Sequence, residues 1–414
     1  MFRKIKIRLY SSDCGKGVER WSVMEMDIDA IILAGTKGTS KLKLDDTEDY
    51  KPFIEICGKT IVEYVIDAAL ECPDLRRIYV VTDLARLNHT FIERGFRDDS
   101  RRLKIVPDEG SIMGNLRETI SCHVLPDLGF ETFHHETDST EAYLRRNRGA
   151  QDLRTVVLYG DSPFMTGADI SRFIETSNPY ADYVVGFSRE EELMEIEKQA
   201  GEILCAPELK TALFPFGDTA IRANNLVMGK PLRVPDEVWN LAQAVYDNRN
   251  LLTKKGKKNK RNWGKIYEIF KEYTLSHGTK KPTVLWGFFL GAALYRTFQK
   301  ALKRGKEWAA QNMSQEEYEL AAYHITGNKC YGSMNICDVA MPTFDVDNEE
   351  MLRRLLARDA ELFRKMRAVK REYPENPEKE LDKLVEEHPT LFDRPEPIDD
   401  AEWKDMAQKA GIER

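Results

Sequence analysis

The sequence predicts an α/β protein: a mainly parallel, mixed sheet flanked by helices, with a helical insertion and a helical C-terminal tail. Three observations predict it. Between residues 28 and 188, short apolar runs alternate with amphipathic segments, the order expected of βαβ units. The apolar runs are continuous, as strands buried on both faces require. The chain of 414 residues is 42% hydrophobic and 32% charged, which is enough apolar material for one large domain or two.

The elements follow in order. Residues 1–26 precede the first strong strand and read as an N-terminal extension. Ala30 to Leu33 reads as a strand. Thr60 to Leu70 has helical spacing, with Ile61, Val65, Ile66 and Ala69 on one face. Arg77 to Val81 and Leu103 to Val106 are the second and third strands, and Ser111 is placed to cap a helix running through Ile120. Thr155 to Tyr159 is a fourth strand, Asp169 to Glu175 a short helix and Tyr183 to Phe187 a fifth strand. The polar stretch 125–153 reads as an insertion or surface loop, with His134 and His135 in solvent rather than on a metal. After residue 235 the pattern turns helical: Asp236 to Leu252, Trp263 to Tyr273, Val284 to Leu302 and Gln315 to His324. The α/β domain is therefore expected over 27–353, with the helical insertion at about 235–330 and a charged tail over 354–414. In that tail Glu378 to Glu386 and Asp399 to Lys409 read as helices.

Composition excludes several classes. A net charge of -7 argues against general nucleic-acid binding, which leaves a basic footprint. Seven scattered cysteines without a C-x-x-C pair fit a reduced, cytoplasmic protein, and no zinc spacing occurs. The basic N-terminus lacks the apolar core of a signal peptide. The longest apolar stretch, Val284 to Leu294, is short of the roughly 20 residues that span a bilayer. It reads as a buried helix, with a membrane-surface or partner-binding helix as the lesser reading. Lys254 to Arg261 (KKGKKNKR) reads as a solvated linker, its alternative being a lid that attracts phosphate.

The first strand ends in "LAGTKGTSKL" (33–42). A strand running into a glycine loop can offer backbone N–H groups to a phosphate, because glycine lets the backbone approach without a Cβ. The loop is neither of two familiar phosphate motifs. Gly35-Thr-Lys-Gly38-Thr-Ser40 does not have the G-x-G-x-x-G spacing, and Phe53 stands where a Walker A needs its first glycine. "TVVLYGDSPFMTGADI" places Asp161 just after a strand, the end at which open α/β sheets bind ligands. "PTFDVDNEEMLRRL" adds Asp345 and Asp347, two apart and so on one side of an extended segment.

Together these stretches resemble the MobA-like and sugar-nucleotide nucleotidyltransferases. Leu33, Ala34, Gly35 and Gly38 match the opening of that family, Lys51-Pro52 its following Lys-Pro, and Gly58-Lys59 with the next helix its third element. Gly160-Asp161-x-Pro resembles its metal-binding aspartate, and Asp345-x-Asp347 its Asp-x-Asp segment. Two positions depart from the pattern: Thr36 replaces a glycine, and Ser40 an arginine that would donate to phosphate in bidentate fashion. The resemblance implies a GT-A-like fold and transfer of a nucleoside monophosphate from an NTP to a phosphorylated acceptor, with release of pyrophosphate. It implies catalytic Lys51 and Asp161; nucleotide binding by Leu33, Ala34, Gly35, Gly38, Lys51, Ser111 and Asn115; and acceptor binding by Arg222, Asn224 and Lys230. Mg²⁺ would sit on Asp161, Asp345 and Asp347. Magnesium takes carboxylate and phosphate oxygens, and such reactions run on positioning and electrostatics, which suits the lack of a His-centred triad. The partners are then an NTP and a small phosphorylated acceptor, with no nucleic acid; the chain would be cytoplasmic, and a homo-oligomer is compatible with it. The rivals are a GT-A glycosyltransferase using a nucleotide-sugar and a degenerate, non-catalytic nucleotide-binding or scaffold protein.

Overall fold

The computed structural model describes residues 4–9, 20–25, 28–35, 41–44, 47–96, 98, 100–135, 137–201, 214–216, 219–247, 315, 319, 323, 330–346, 349–369 and 373. The expected helices Trp263 to Tyr273 and Val284 to Leu302, the basic stretch Lys254 to Arg261, the tail segments beyond residue 373, and Thr36, Gly38, Ser40 and Asp347 lie outside the described residues.

The central sheet has seven main strands: β1 (Ile28–Leu33), β2 (Leu75–Thr82), β3 (Leu103–Pro107), β4 (Arg154–Tyr159), β5 (Tyr183–Arg189), β6 (Thr219–Gly229) and β7 (Gly332–Ile336). A short strand, Phe214–Phe216, pairs with β6 at its start. The order across the sheet is β7-β5-β6-β4-β1-β2-β3. β6 is antiparallel to both neighbours, and the other pairings within this order are parallel. The expected mainly parallel, mixed sheet is thus present. β1 has β2 on one side and β4 on the other, so the chain switches direction across the sheet between the carboxyl ends of β1 and β4. Such a switch point leaves a crevice for ligands.

Helices cover both faces. They are α1 (Ile61–Glu71), α2 (Leu84–Arg94), α3 (Ile112–Thr119), α4 (Thr140–Arg146), α5 (Gly167–Thr176), α6 (Glu190–Ala200), α7 (Asp236–Asp247) and α8 (Glu349–Ala368). Local sequence sets several starts. Thr60 and Glu63 form a capping box at α1, with the Thr60 N–H donating to Glu63 Oε2 at 2.6 Å. Thr166 and Asp169 do the same at α5, and Ser111 Oγ accepts the Gly114 N–H at α3. On β1, Ile28, Ala30 and Ile32 pack with Val65 and Ile66 of α1 and Phe173 of α5. The alternating Ile31 and Leu33 pack with Leu116 and Ile120 beside α3 on the other face. This two-sided burial is why the strands read as unbroken apolar runs. A further cluster joins Tyr64, Phe164, Phe344, Met351, Leu355, Phe363 and Met366 beneath α8.

The readings of the stretch 125–153 and of His135 need revision, and two elements are new. The stretch 125–153 is polar in composition, yet Phe133, Tyr143 and Ala150 are buried against the α3 face of the sheet, so it is packed rather than a free loop. His134 is exposed, but His135 is half-buried and its Nε2 lies 2.6 Å from Ser121 Oγ. Residues 219–229 form a strand that its two asparagines hide, because Asn is a poor strand former. A charged helix, α8, spans the boundary expected between the α/β domain and the tail. It is broken at Ala357–Ala360, where Arg358, Asp359 and Ala360 take left-handed φ values of 52°, 57° and 59°.

Candidate active site

The switch point is held closed by backbone bonds between three strand ends. The Ala34 N–H donates to the Val81 carbonyl and the Gly160 N–H to the Leu33 carbonyl, both at 2.9 Å. Thr82 Oγ1 donates to the Ala34 carbonyl at 2.9 Å. Two glycines permit the close approach. A Cβ on Gly160 would lie 2.7 Å from the Ala34 Cβ, and one on Gly35 would lie 2.7–2.9 Å from the Asp108 carboxylate. Leu33 and Ala34 therefore shape the turn through groups already engaged in the sheet, whereas Gly35 opens onto the crevice side with Asp108.

The 3-10 turn Lys51–Phe53, with Pro52 in its first turn, presents Lys51 at this crevice. Lys51 Nζ stands 3.8 Å from Asp161 Oδ2, and the two side chains keep 23% and 25% of their surface. The second carboxylate segment joins directly: the Val346 N–H donates to the Asp161 carbonyl at 3.0 Å. Asp345, between the buried Phe344 and Val346, pairs with Arg222 at 3.4 Å, each side chain 17% exposed. Lys51, Asp161, Asp345 and Arg222 are thus gathered at one sheet end from four distant stretches of chain.

The remaining expected residues divide. Ser111 caps α3, and the Asn115 amide donates to Asp108 Oδ1 at 2.9 Å while its oxygen accepts the Glu109 N–H at 2.6 Å. Both therefore build the loop at the end of β3 that carries Asp108. Asn224 is fully buried and donates to the Val339 carbonyl at 3.0 Å, shaping the approach to Asp345. Lys230 is not brought to the crevice. β6 runs antiparallel to β4, with Leu226 opposite Leu158 and Gly229 opposite Thr155, so residue 230 falls at the amino end of β4. There Lys230 Nζ donates to the Pro179 carbonyl at 2.8 Å, and burial pulls its amine down to about 8.

Sequence reasoning missed Asp108 and gave Asn225 no role of its own. Asp108 is 4% exposed and accepts the Gly110 N–H at 2.8 Å. It had the same signal as Asp161, an acid just past an apolar strand. Asn225 had only the oddity of paired asparagines inside a strand.

Residues 30–215 match the family model of the MobA-like NTP transferase domain. Over that stretch, somewhat under half of its length, the chain is similar to the MobA-like NTP transferase domain. The match runs from β1 to the short strand Phe214–Phe216 ahead of β6 and so contains Gly35, Lys51, Asp108 and Asp161, while Arg222 and Asp345 lie outside it. The matched part of the α/β domain is thus similar to nucleotidyltransferases. Among solved structures, a hypothetical transferase from Thermus thermophilus is similar at 17% identity and a TM-score of 0.43, over 79% of this chain and 100% of that one. A 4-diphosphocytidyl-2C-methyl-D-erythritol synthase from Anaerococcus prevotii is similar at 12% identity and a TM-score of 0.30, over 58% and 82%. HddC from Yersinia pseudotuberculosis, complexed with GMP-PN, is similar at 14% identity and a TM-score of 0.30, over 50% and 79%. No curated protein sequence matches the chain. Among the described residues no helix is long and apolar enough to cross a membrane.

Proposed function

We propose that this domain moves a nucleoside monophosphate from an NTP to a phosphorylated small-molecule acceptor, such as a sugar phosphate or cofactor precursor. An acceptor phosphate oxygen attacks the α-phosphorus in line; the new P–O bond forms as the bond to pyrophosphate breaks. No general base is required, because the attacking phosphate is already ionised. The observation that supports this reading is the convergence of Lys51, Asp161, Asp345 and Arg222 at the switch point.

Magnesium fits the donor set. Among the described residues no group of three or more His, Cys, Asp or Glu would hold a metal alone. Magnesium commonly takes one or two carboxylates and completes its shell with phosphate oxygens and water. Asp161 and Asp345 would hold it, and Asp347 is proposed beside them. When bound, it would offset charge developing on the phosphates. Gly35 would let the loop backbone approach the triphosphate, joined by Gly38, and Lys51 would supply charge to it. Asp108, Ser111 and Asn115 would shape the nucleotide side. Arg222 would meet the acceptor phosphate and shares the Asp345 carboxylate, tying acceptor and donor positions together. We place the reaction in the cytoplasm, where the NTP pool is.

Melting curves with ATP, GTP, CTP and UTP, with and without Mg²⁺, test this. Binding to the native state raises the melting temperature by mass action. The expected result is a Mg²⁺-dependent rise with one base that is lost in Asp161→Asn, followed by pyrophosphate release once an acceptor is supplied. A response to nucleotide-sugars alone, or to none of the four NTPs, would overturn the assignment.

A further inference from the structure

We propose that Asn225 is a positioning residue that sets the separation of the two carboxylate loops. The proposal rests on the nucleotidyltransferase reading of the site. Asn225 takes a left-handed φ of 58° inside β6, at an irregularity where Val185 opposes Val227 but Phe187 opposes Ala223. Three residues of β6 thus face the single residue Gly186. A bulge of this kind re-aims side chains. Successive side chains of a regular strand point to opposite faces; here Asn224 and Asn225 both reach the loop ahead of Asp345. Gly186 makes room, since a Cβ there would overlap the Asn224 amide. Asn tolerates the left-handed region better than other non-glycine residues.

The Asn225 amide nitrogen has two N–H groups, and each has a use. One donates to the Pro342 carbonyl at 2.9 Å and the other to Ser162 Oγ at 3.2 Å. A carbonyl only accepts, so the nitrogen must face Pro342. Ser162 follows Asp161 directly. Pro342 lies in the 3-10 turn Met341–Thr343, which is further pinned by Ser188 Oγ at 2.7 Å from both the Val339 carbonyl and Thr343 Oγ1. The turn leads through buried Phe344 to Asp345. Asn225 therefore bridges the two loops on one side, and the Val346-to-Asp161 backbone bond joins them on the other.

The test compares wild type with Asn225→Gly, which keeps the left-handed backbone accessible and removes the bridge. Mn²⁺ binding is read by electron paramagnetic resonance with a non-hydrolysable NTP analogue, beside the Mg²⁺ concentration for half-maximal transfer. Loss of groups that orient metal-binding side chains weakens affinity by about tenfold or more. That shift is expected in both readouts, with kcat recovering at high Mg²⁺. A folded variant with unchanged Mn²⁺ affinity overturns the proposal. If Asn225→Gly does not fold, Ser162→Ala removes one end of the bridge without touching the backbone: a smaller shift in the same direction supports the proposal, and no shift overturns it. Absence of any metal-dependent NTP binding in wild type would instead overturn the nucleotidyltransferase reading beneath it.

Discussion

The two ends of the sheet use the same kinds of charged residue in opposite ways. At the carboxyl ends, Asp161 and Asp345 meet Lys51 and Arg222 at 3.8 and 3.4 Å and keep 25% and 17% of their side-chain surface in solvent. At the amino ends, Arg154 and Lys230 are 5% and 6% exposed and share the Pro179 carbonyl as acceptor, at 2.5 and 2.8 Å. Nearby, Asp182 accepts the Tyr331 N–H at 2.8 Å, and Arg233 pairs with Asp152 at 2.5 Å. Long, partly wet ion pairs cost little to separate, as the proposed binding of phosphate and metal there requires. Short bonds to backbone in a buried setting fix the chain and leave a large penalty if one partner is removed. Accessibility and partner type, rather than charge, separate the proposed ligand end from the structural end.

The largest effect expected is on transfer. Asp161→Asn should lower the rate by on the order of 10²–10³, the scale on which one preorganised electrostatic group acts. The fold should survive, because the carboxylate is part-exposed; circular dichroism and melting check that. Gly35→Ala sharpens the same end by another route. Its Cβ would press on the buried Asp108 carboxylate, and overpacking of this kind costs about 1–3 kcal/mol. Urea unfolding should show the loss, with weaker NTP binding alongside it. Lys51→Ala should reduce NTP affinity about tenfold, the scale of one charged hydrogen bond, without moving the ligand-free melting temperature. Unchanged affinity would remove Lys51 from the nucleotide site.

The smallest effect tests the other end. Burial, then the neighbouring Arg154 and Arg233, hold the Lys230 amine at about 8 against its ordinary 10.5. Below pH 8 the amine is charged whether the chain is folded or not, and the folded state carries the cost of burying it. Between pH 8 and 10.5 the unfolded chain binds more protons, so stability rises with pH. The stability difference between wild type and Lys230→Met should therefore grow in favour of wild type across that window. The KM for the acceptor should not change. A raised acceptor KM would return Lys230 to the ligand end and break the comparison.

By itself the sequence determined the parallel core of the fold and pointed to Gly35, Lys51 and Asp161 as candidates, with Gly35 and Asp161 just past the ends of β1 and β4. The strand-end residues are readable because each follows a local pattern, an apolar run followed at once by a glycine or an acid, whereas Lys51 was readable only through the Lys-Pro of the family resemblance. Only the tertiary structure decided which carboxylates meet, that Asp108 rests on Gly35, and which half of β6 faces the site. The direction of β6 is a property of its pairing with β4, and no residue within it encodes that direction. Antiparallel pairing sends Arg222 to the crevice and Lys230 to the far end, although both stand in one short, basic stretch of sequence. The left-handed turn at Asn225 is decided the same way, because it exists only where β6 must bulge past Gly186.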